Sequence, residues 1–513
     1  MLVEETEVAI AGAGPAGLMA AAALARHGVR STLVERRRRL SALPRATAVS
    51  TRSMELLRAL GLEDEVRAHE VDARWQGLAT ETLASAGSGE PFSLGFPSRE
   101  ASALVSPTGP ACVPQDELEP ALMRHLRATG LVRVAMGAEL ALAGAGADGV
   151  RAVVRPAGGG PQRELRARYL VAADGARSAV RAVLGIPMAG PDDLGSVVAV
   201  VVRAPLWEVA GPHRHVFYEI TGPGGAGVMF PAGRGERWCY AAFGELGAGE
   251  LAGDPREVLA ARVRAAAGAP RLRPAIGRIG EFAFAAQVAA RFREGDVFLV
   301  GDAAHRITPR GATGMNTAIH DGWDLGWKLA WVLRGWAGPA LLDSYEGERR
   351  PVAELNVARS ADPDRDVDEA LSIDLGGRLP HLWVRTPAGR ASTLDLLGPG
   401  LTLLAGPGME AWRAAAAAVP GPLPLGVRGL EPAAARALGI PDGGALLARP
   451  DGVTAGWWPH AERAAAGLRA AVDAARAGGS GAQAVADAGL GHEVARPGRV
   501  GLELAAQVGH VDA

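Results

Sequence analysis

The fold is decided near the start of the chain by TEVAIAGAGPAG, residues 6–17. Residues 6–11 are apolar and partly β-branched, which predicts a strand, and the helix formers after Gly17 predict a helix that stops at Gly28. Residues 29–35 alternate like a second strand and end in Glu35. We therefore predict a βαβ unit with a glycine-rich first turn.

This pattern of three glycines has a physical purpose. Gly12 permits a tight turn, Gly14 lets backbone amides approach a pyrophosphate, and Gly17 lets the helix pack closely on the sheet. The helix N-terminus attracts negative charge, and Glu35 can accept hydrogen bonds from a ribose. We predict a dinucleotide site, with a purely structural turn as the alternative; the motif alone does not separate FAD from NAD. The candidate contacts here are Gly12, Gly14, Pro15, Ala16, Gly17, Glu35 and Arg36.

Composition excludes several classes of function. The 513 residues suffice for about three folding units, and 54 basic against 56 acidic side chains give a net charge of -2. This balance predicts no nucleic-acid partner and no membrane surface as partner. Cys112 and Cys239 lie far apart, which argues against a disulfide scaffold, a CxxC pair or a thiolate metal site, and the scattered histidines indicate no metal site. With no export signal or membrane span evident, we expect a cytoplasmic protein.

The rest of the chain indicates further layers. The region 83–112 is polar and is not predicted to be helical, and strand-like pieces after Gly130 suggest antiparallel hairpins or a meander. Four strand-like runs between residues 195 and 244 predict one mostly antiparallel sheet, followed by a helix at about 255–267. A helix over 315–333 carries three tryptophans on one face, which we interpret as core packing.

Two later segments identify the nucleotide. They are RYLVAADGARSAVR at 168–181 and DVFLVGDAAHRITPRGATGMNTAIHDG at 296–322. Together with residues 6–17, they resemble the three fingerprints of FAD-dependent group A aromatic hydroxylases, which have the p-hydroxybenzoate hydroxylase fold, and the match extends over roughly residues 5–360.

The resemblance implies roles for four further residues. Asp302 would bind the ribityl chain of FAD, and Asp174 would lie near both FAD and the reduced nicotinamide. Arg45 matches an arginine that contacts the FAD phosphate, and Gln115 matches a position beside the flavin. For Arg45 and Gln115, the alternative is a surface residue at a turn or helix start.

A glycine-containing loop precedes a helix that begins near Met315 and Asn316. Amides at such a start, with Gly314, can face the pyrimidine edge of a flavin, where the helix dipole stabilises negative charge on the reduced ring. The family pattern reads PPxGGQGMN, whereas this chain has Ala312 and Thr313 in place of a Gly and a Gln, and its Arg310 adds a cation. The flavin environment is therefore expected to differ in detail.

Four residues are candidates for catalysis: His305, Arg310, His215 and Tyr218. His305 could act as a general base or could support the loop. Strand alternation puts His213 and His215 on one face with Phe217, and Tyr218 on the other. These residues could orient a phenol, or they could be ordinary polar residues facing solvent.

The last region begins at Arg378 and contains PHLWV, STLDLLGPGLTLLAG and LLARPDGVTAGWW. These segments resemble the thioredoxin-like C-terminal domain of hydroxylases that act on phenols, aromatic polyketides and related natural products. The predicted fold class is α/β: a Rossmann-like FAD-binding domain, an inserted antiparallel-sheet substrate domain and this third domain. The predicted boundaries are 1–73, 111–190 and 281–360 for the FAD-binding domain, 74–110 and 191–280 for the substrate domain, 376–477 for the C-terminal domain and 478–513 for a tail.

The expected function is that of an FAD-dependent monooxygenase. It would use NADPH or NADH and O2 to hydroxylate an aromatic, polyketide-like or phenolic, natural-product intermediate through a flavin C4a-hydroperoxide, as a monomer or homodimer. Baeyer-Villiger oxygenation of a ketone, simple dehydrogenation by FAD, and a non-catalytic protein that binds FAD or an intermediate remain alternatives.

Overall fold

The computed structural model of the protein describes residues 2–94, 97–146, 148–242, 254–362 and 377–479. Most of the charged segment 361–370 and of the predicted tail lies outside the described residues. No helix among the described residues is long and apolar enough to cross a membrane.

The described strands follow in chain order. They are β1 (Leu2–Ala11), β2 (Ser31–Glu35), β3 (Ala48–Val49), β4 (Arg74–Thr80), β5 (Glu90–Phe92), β6 (Ala111–Cys112), β7 (Val132–Met136), β8 (Ala138–Gly146), β9 (Gly149–Pro156), β10 (Arg163–Ala172), β11 (Met188–Ala189), β12 (Ser196–Arg203), β13 (His215–Ile220), β14 (Gly227–Pro231), β15 (Arg237–Ala242), β16 (Ala275–Ala283), β17 (Gln287–Ala289), β18 (Arg293–Glu294), β19 (Val297–Leu299), β20 (His305–Arg306), β21 (Trp383–Thr386), β22 (Gly389–Ser392), β23 (Leu401–Ala405), β24 (Leu425–Gly429), β25 (Ala445–Ala448) and β26 (Thr454–Trp458).

The α-helices are numbered in the same way. They are α1 (Pro15–Arg26), α2 (Thr51–Ala59), α3 (Glu63–Arg67), α4 (Arg99–Val105), α5 (Gln115–Thr129), α6 (Ala179–Val183), α7 (Leu206–Ala210), α8 (Pro255–Ala267), α9 (Gly314–Leu333), α10 (Asp343–Ala361), α11 (Glu410–Ala417), α12 (Pro432–Ala437) and α13 (Ala464–Arg476).

The first sheet has the strand order β18-β19-β10-β1-β2-β7, and β8 and β9 extend it antiparallel from β10. Strands β19, β10, β1, β2 and β7 run parallel, so their carboxyl ends meet at one edge of the sheet. The predicted antiparallel hairpin is found in β9 and β10, and β8, which was not predicted, adds a third strand to it. The first strand predicted after Gly130 is β7, and it is not part of this hairpin. It pairs in parallel with β2 at the opposite edge of the same sheet.

The middle sheet has seven strands in the order β16-β12-β15-β14-β13-β4-β5. All neighbours are antiparallel except β13 and β4, and α8 packs its buried face against the cluster beneath this sheet. The antiparallel sheet predicted from residues 195–244 is therefore present, with β4, β5 and β16 added from outside that range.

The prediction that residues 83–112 are not helical is wrong. Leu83–Ser88 form a 3-10 helix, and α4 follows. The Ser98 hydroxyl caps α4 by accepting from the amide of Ala101 at 3.1 Å, and Ser102 on α4 hydrogen-bonds Thr51 at 2.9 Å. Capping and a tertiary contact stabilise this short helix despite its polar surroundings.

The C-terminal sheet has the order β24-β23-β25-β26. Strands β23 and β24 are parallel, β25 and β26 are antiparallel, and the helices α11, α12 and α13 complete a βαβαββα succession. This topology is that of a thioredoxin-like domain, as the sequence predicted. The domain boundaries given above stay predictions.

A buried charge network joins this domain to helices α9 and α10. The ammonium of Lys328, fully buried, donates to Asp324 at 2.8 Å and to Glu348 at 3.0 Å. Arg449, between β25 and β26, donates to both oxygens of Glu348 at 2.7 and 2.8 Å and also pairs with Asp451. The predicted tryptophan stripe on α9 lies in the core close by, with Trp327 and Trp331 fully buried.

Candidate functional site

A cavity of about 650 Å³ lies between the carboxyl edge of the first sheet and the middle sheet. A volume of this size is typical of a site for a small molecule or cofactor. Twelve of the fourteen predicted cofactor contacts line it: Gly12, Gly14, Pro15, Ala16, Glu35, Arg36, Arg45, Gln115, Asp174, Asp302, Gly314 and Met315.

The glycine-rich turn between β1 and α1 forms one wall. Gly12 has a φ of 104°, and a Cβ built there would lie 2.2 Å from the carbonyl oxygen of Ala173. A Cβ on Gly17 would lie 2.1 Å from the Gly12 oxygen. A Cβ on Gly14, in contrast, would meet nothing within 4 Å. Gly12 and Gly17 are therefore required for packing, whereas Gly14 leaves room for a ligand close to the backbone.

Gly17 does not line the cavity, since it faces the turn itself. Asn316 does not line it either. Its side-chain oxygen accepts from the Ser50 amide at 2.9 Å and from the Ser53 hydroxyl at 2.8 Å, and its amide nitrogen donates to the Ala48 oxygen at 3.0 Å. Asn316 thus ties the start of α9 to the segment before α2.

Glu35 holds the glycine turn in place. One of its carboxylate oxygens accepts from the Ala13 amide, and the other accepts from the Arg37 amide, both at 2.9 Å. Since the end of β2 lies beside the end of β1, Glu35 reaches the turn from the neighbouring strand. Its carboxylate lines the cavity and retains lone pairs for a sugar hydroxyl.

Two aspartates follow the ends of β10 and β19 at the same edge. Asp302 is exposed to the cavity, and the surrounding protein raises the pKa of its carboxyl by desolvation, against the opposing effect of His305 and Arg45. Asp174 accepts from the Val180 amide at 3.1 Å through one oxygen, while its other oxygen is buried without a protein partner. Such an orphaned acceptor fits a donor group of a bound ligand.

The residues present therefore fit an FAD. The open space at Gly14 and the cationic side chain of Arg45 suit a pyrophosphate, and desolvation with the charge of Arg37 lowers the pKa of the Arg45 guanidinium without discharging it. Glu35, Asp174 and Asp302 supply acceptors for hydroxyl groups.

The loop before α9 is strained at one point. Ala312 has a φ of 51° and is the only non-glycine residue with a positive φ in the described part of the chain. This is the position at which the sequence departs from the glycine of the family pattern. The loop keeps its shape through hydrogen bonds to its backbone, with the Asn316 amide donating to the Ala312 oxygen at 3.1 Å.

None of the four residues predicted to be catalytic lines the cavity. His305 is buried, and its Nε2 lies 2.6 Å from Oδ2 of Asp321, whose Oδ1 accepts from Arg349 at 2.8 Å. Arg310 donates to the backbone oxygens of Arg359 and Asp362.

Tyr218 is fully buried, and its hydroxyl bonds the backbone of His213 and His215. The buried ring of His215 packs edge-on against Tyr218, with centroids 5.9 Å apart, and burial lowers the pKa of this histidine. The register of β13 against β4 shifts between His215 and Phe217, and this irregularity breaks the simple alternation on which the predicted faces depended.

The sequence reasoning missed an aromatic wall. Every described residue from 74–94 and 196–286 that lines the cavity is apolar: Trp75, Leu94, Val216, Phe217, Phe230, Phe282, Ala283, Phe284 and Ala285. The Phe217 and Phe230 rings are parallel within 8°, and Phe92 packs edge-on against Phe217. Trp75, Phe217, Phe230 and Phe282 come from β4, β13, β14 and β16, so no local sequence motif identifies them together. The available signal was the presence of an aromatic residue in each of these strands.

Five charged residues that line the cavity were also missed: Arg37, Glu119, Glu139, Arg177 and Arg306. Arg306 lines it and donates to the Gln287 side chain at 3.0 Å. Glu119, one helical turn after Gln115, is 3% exposed and lines the same cavity. Burial raises the pKa of its carboxyl to about 7, against the effect of a hydrogen bond from Gln115.

Comparison with known proteins gives a consistent result. The family described as FAD binding domain matches residues 5–360, and the family described as aromatic-ring hydroxylase, C-terminal, matches residues 373–476. Aklavinone 12-hydroxylase of Streptomyces purpurascens is 37% identical over 90% of this chain and 96% of its own length. Tetracenomycin A2 monooxygenase-dioxygenase of Streptomyces glaucescens is 33% identical over 92% of this chain and 97% of its own.

Solved structures agree with these relatives. Aklavinone-11 hydroxylase, in a ternary complex with FAD and aklavinone, superimposes with a TM-score of 0.81 at 34% identity, covering 92% of this chain and 98% of that one. The substrate-free rebeccamycin biosynthetic enzyme RebC gives a TM-score of 0.77 at 29% identity, covering 93% and 100%. With a nucleotide cradle and an aromatic wall in one cavity, and with these matches over nearly its whole length, the chain belongs to the FAD-dependent aromatic-ring hydroxylases.

Proposed function

We propose that this enzyme, an FAD-dependent monooxygenase, uses NADPH or NADH and O2 to hydroxylate a phenolic, polyketide-like aromatic intermediate. The observation that carries this proposal is the composition of the cavity. One side offers backbone, carboxylates and arginines to a dinucleotide, and the described residues of the facing side form an apolar and aromatic surface. A planar aromatic substrate would be stabilised there by burial and ring contacts.

The residues at the nucleotide side would divide the work as follows. Gly12, Gly14, Pro15 and Ala16 would receive the diphosphate, with Arg45 as its counter-ion. Glu35 and Arg36 would contact the adenosine half, and Asp302 would accept from the ribityl hydroxyls.

The remaining cofactor contacts lie at the other end. Gln115, Asp174, Gly314 and Met315 would border the flavin, and the N-terminus of α9 would stabilise negative charge at its pyrimidine edge. When bound, FAD accepts two electrons from the nicotinamide and supplies the oxygen-transfer chemistry. Overall, NAD(P)H, O2 and one proton are consumed, and the hydroxylated ring, NAD(P)⁺ and water are formed.

The protein supplies position and dryness at the substrate. The aromatic wall excludes water from the substrate site. Water there would favour release of hydrogen peroxide over transfer of oxygen to the substrate. Since this wall carries no ionisable side chain among the described residues, the substrate's own hydroxyl group would activate its ring by losing a proton. His305, buried beside Asp321, would support the loop that carries Asp302 and would not touch the substrate.

Turnover with candidate substrates tests the proposal. Oxidation of NADPH and of NADH is followed with and without aklavinone, and with and without single-ring phenols, under ¹⁸O2. Substrate-stimulated oxidation and a product that gains one ¹⁸O atom are expected. Oxidation that yields only hydrogen peroxide, or that proceeds anaerobically with an artificial electron acceptor to an oxygen-free product, would contradict hydroxylation.

A further inference from the structure

A buried carboxyl group lies on the nucleotide side of the cavity. Glu119 is on α5, one turn after Gln115, and is only 3% exposed although it lines the cavity. The side-chain nitrogen of Gln115 donates to Glu119 Oε1 at 2.6 Å. A carboxylate in such a place loses most of its hydration and depends on its neighbours for stabilisation of its charge.

The neighbouring charges balance closely. Arg37 and Arg45, from the segment after β2, favour the ionised form of Glu119, and the hydrogen bond from Gln115 adds to this. Burial and the nearby carboxylate of Glu35 oppose ionisation. With FAD absent, the net result is a pKa of about 7, so small electrostatic changes alter the protonation of Glu119 near neutral pH.

A bound diphosphate would change this balance. The phosphate oxygens carry negative charge, and at Arg45 they would offset the positive potential that stabilises the Glu119 carboxylate. Two anions would then compete for the same arginines in a poorly solvated place. Protonation of the carboxyl removes this repulsion, and the neutral acid can still accept the Gln115 hydrogen bond through its carbonyl oxygen.

We infer that Glu119 takes up a proton from solvent when FAD binds, so that cofactor affinity is linked to pH through this residue. The inference rests on the proposed placement of the FAD diphosphate beside Arg45. The sign follows from linkage: the form that binds FAD holds one more proton, so affinity is high at low pH and falls as pH rises through the pKa of the FAD-free protein.

The dissociation constant of FAD measures this directly. The full chain, freed of FAD, is titrated with FAD between pH 6 and pH 8, and binding is followed by quenching of flavin fluorescence. We expect affinity to fall about tenfold from pH 6 to pH 8, if the pKa in the complex is about 9 or higher. The Glu119→Gln variant should lose this dependence. Glu117→Gln, on the same helix but away from the cavity, should retain it.

Calorimetry in two buffers of different ionisation enthalpy adds a measurement on the unmodified protein. We expect uptake of close to one proton per FAD at pH 8. Tight FAD binding with no proton uptake, or an unchanged pH dependence in Glu119→Gln, would overturn the inference and leave the proposed function standing. Failure to bind FAD at any pH would overturn the proposed function itself. The buffer comparison decides the matter even if Glu119→Gln does not fold.

Discussion

Substitution of Gly14 by alanine should separate cofactor binding from folding. Gly14 has a φ of -79° and a ψ of -179° at the N-cap of α1, which alanine adopts without strain, and the added Cβ meets no protein atom within 4 Å. The cost to the FAD-free protein is limited to the weaker capping preference of alanine, about 0.5–1 kcal/mol. The new methyl group lies where the diphosphate would approach the backbone.

The expected loss of affinity follows from that obstruction. A hydrogen bond to a charged group contributes about 1.5–3 kcal/mol, so loss of one such contact weakens FAD binding by about ten- to hundredfold. Gly17→Ala is the matched control, because its Cβ would lie 2.1 Å from the Gly12 oxygen and must displace backbone. Without FAD, the Gly17→Ala variant should therefore have a lower free energy of unfolding than the unmodified protein.

Two measurements distinguish these cases. Urea unfolding of the FAD-free proteins reports stability, and flavin fluorescence quenching reports affinity. Our reasoning is refuted if Gly14→Ala binds FAD as tightly as the unmodified protein, or if it loses FAD only in parallel with a collapse of the FAD-free fold.

Three further predictions concern separate parts of the molecule. Asp302→Ala should be purified without the yellow cofactor, since the ribityl hydroxyls lose their acceptor; a full complement of FAD by absorbance would contradict this role. Arg449→Met removes one of the two cationic partners of Glu348 in the buried network, so we expect the free energy of unfolding to fall by about 3–5 kcal/mol and proteolysis between the C-terminal domain and the rest of the chain to become faster. The control is Arg413→Met, at an exposed position, which should change both measurements little. Equal behaviour of the two variants would argue against a stabilising network. Ala312→Gly should raise the free energy of unfolding by about 0.5–1 kcal/mol, because it relieves a φ of 51° at the cost of chain entropy; a loss of stability in urea unfolding would show that the loop is not strained there.

The nucleotide side of the fold could be predicted from the sequence because its motifs are formed by residues close together in the chain. The turn at Gly12 needs a positive φ, and the strand before it and the helix after it follow within a few residues. Once the strands are parallel, Glu35, Asp174 and Asp302 must meet at one edge of the sheet. Glu35 was predicted from its position at the end of the second strand, whereas the roles of Asp174 and Asp302 were predicted from the resemblance to the group A hydroxylases.

The substrate side of the cavity could not be predicted from local motifs. Phe217 and Phe230 come together only through the pairing of β13 with β14, and Phe282 comes from β16. His305, His215 and Tyr218 were chosen by chemical type, but their polar atoms are largely engaged with the protein itself. The local sequence pattern does not reveal whether a polar side chain faces a cavity or the core. The orientation of these side chains depends on the register shift between β13 and β4 and on packing against distant parts of the chain.

The burial of Lys328 has a practical consequence, since it is the single lysine of the sequence. Amine-reactive dyes and lysine-directed cross-linkers would find no accessible ε-amino group in the folded protein, so immobilisation has to use other side chains. The same property makes acylation of Lys328 a reporter: modification at this position would record the transient separation of the C-terminal domain from α9.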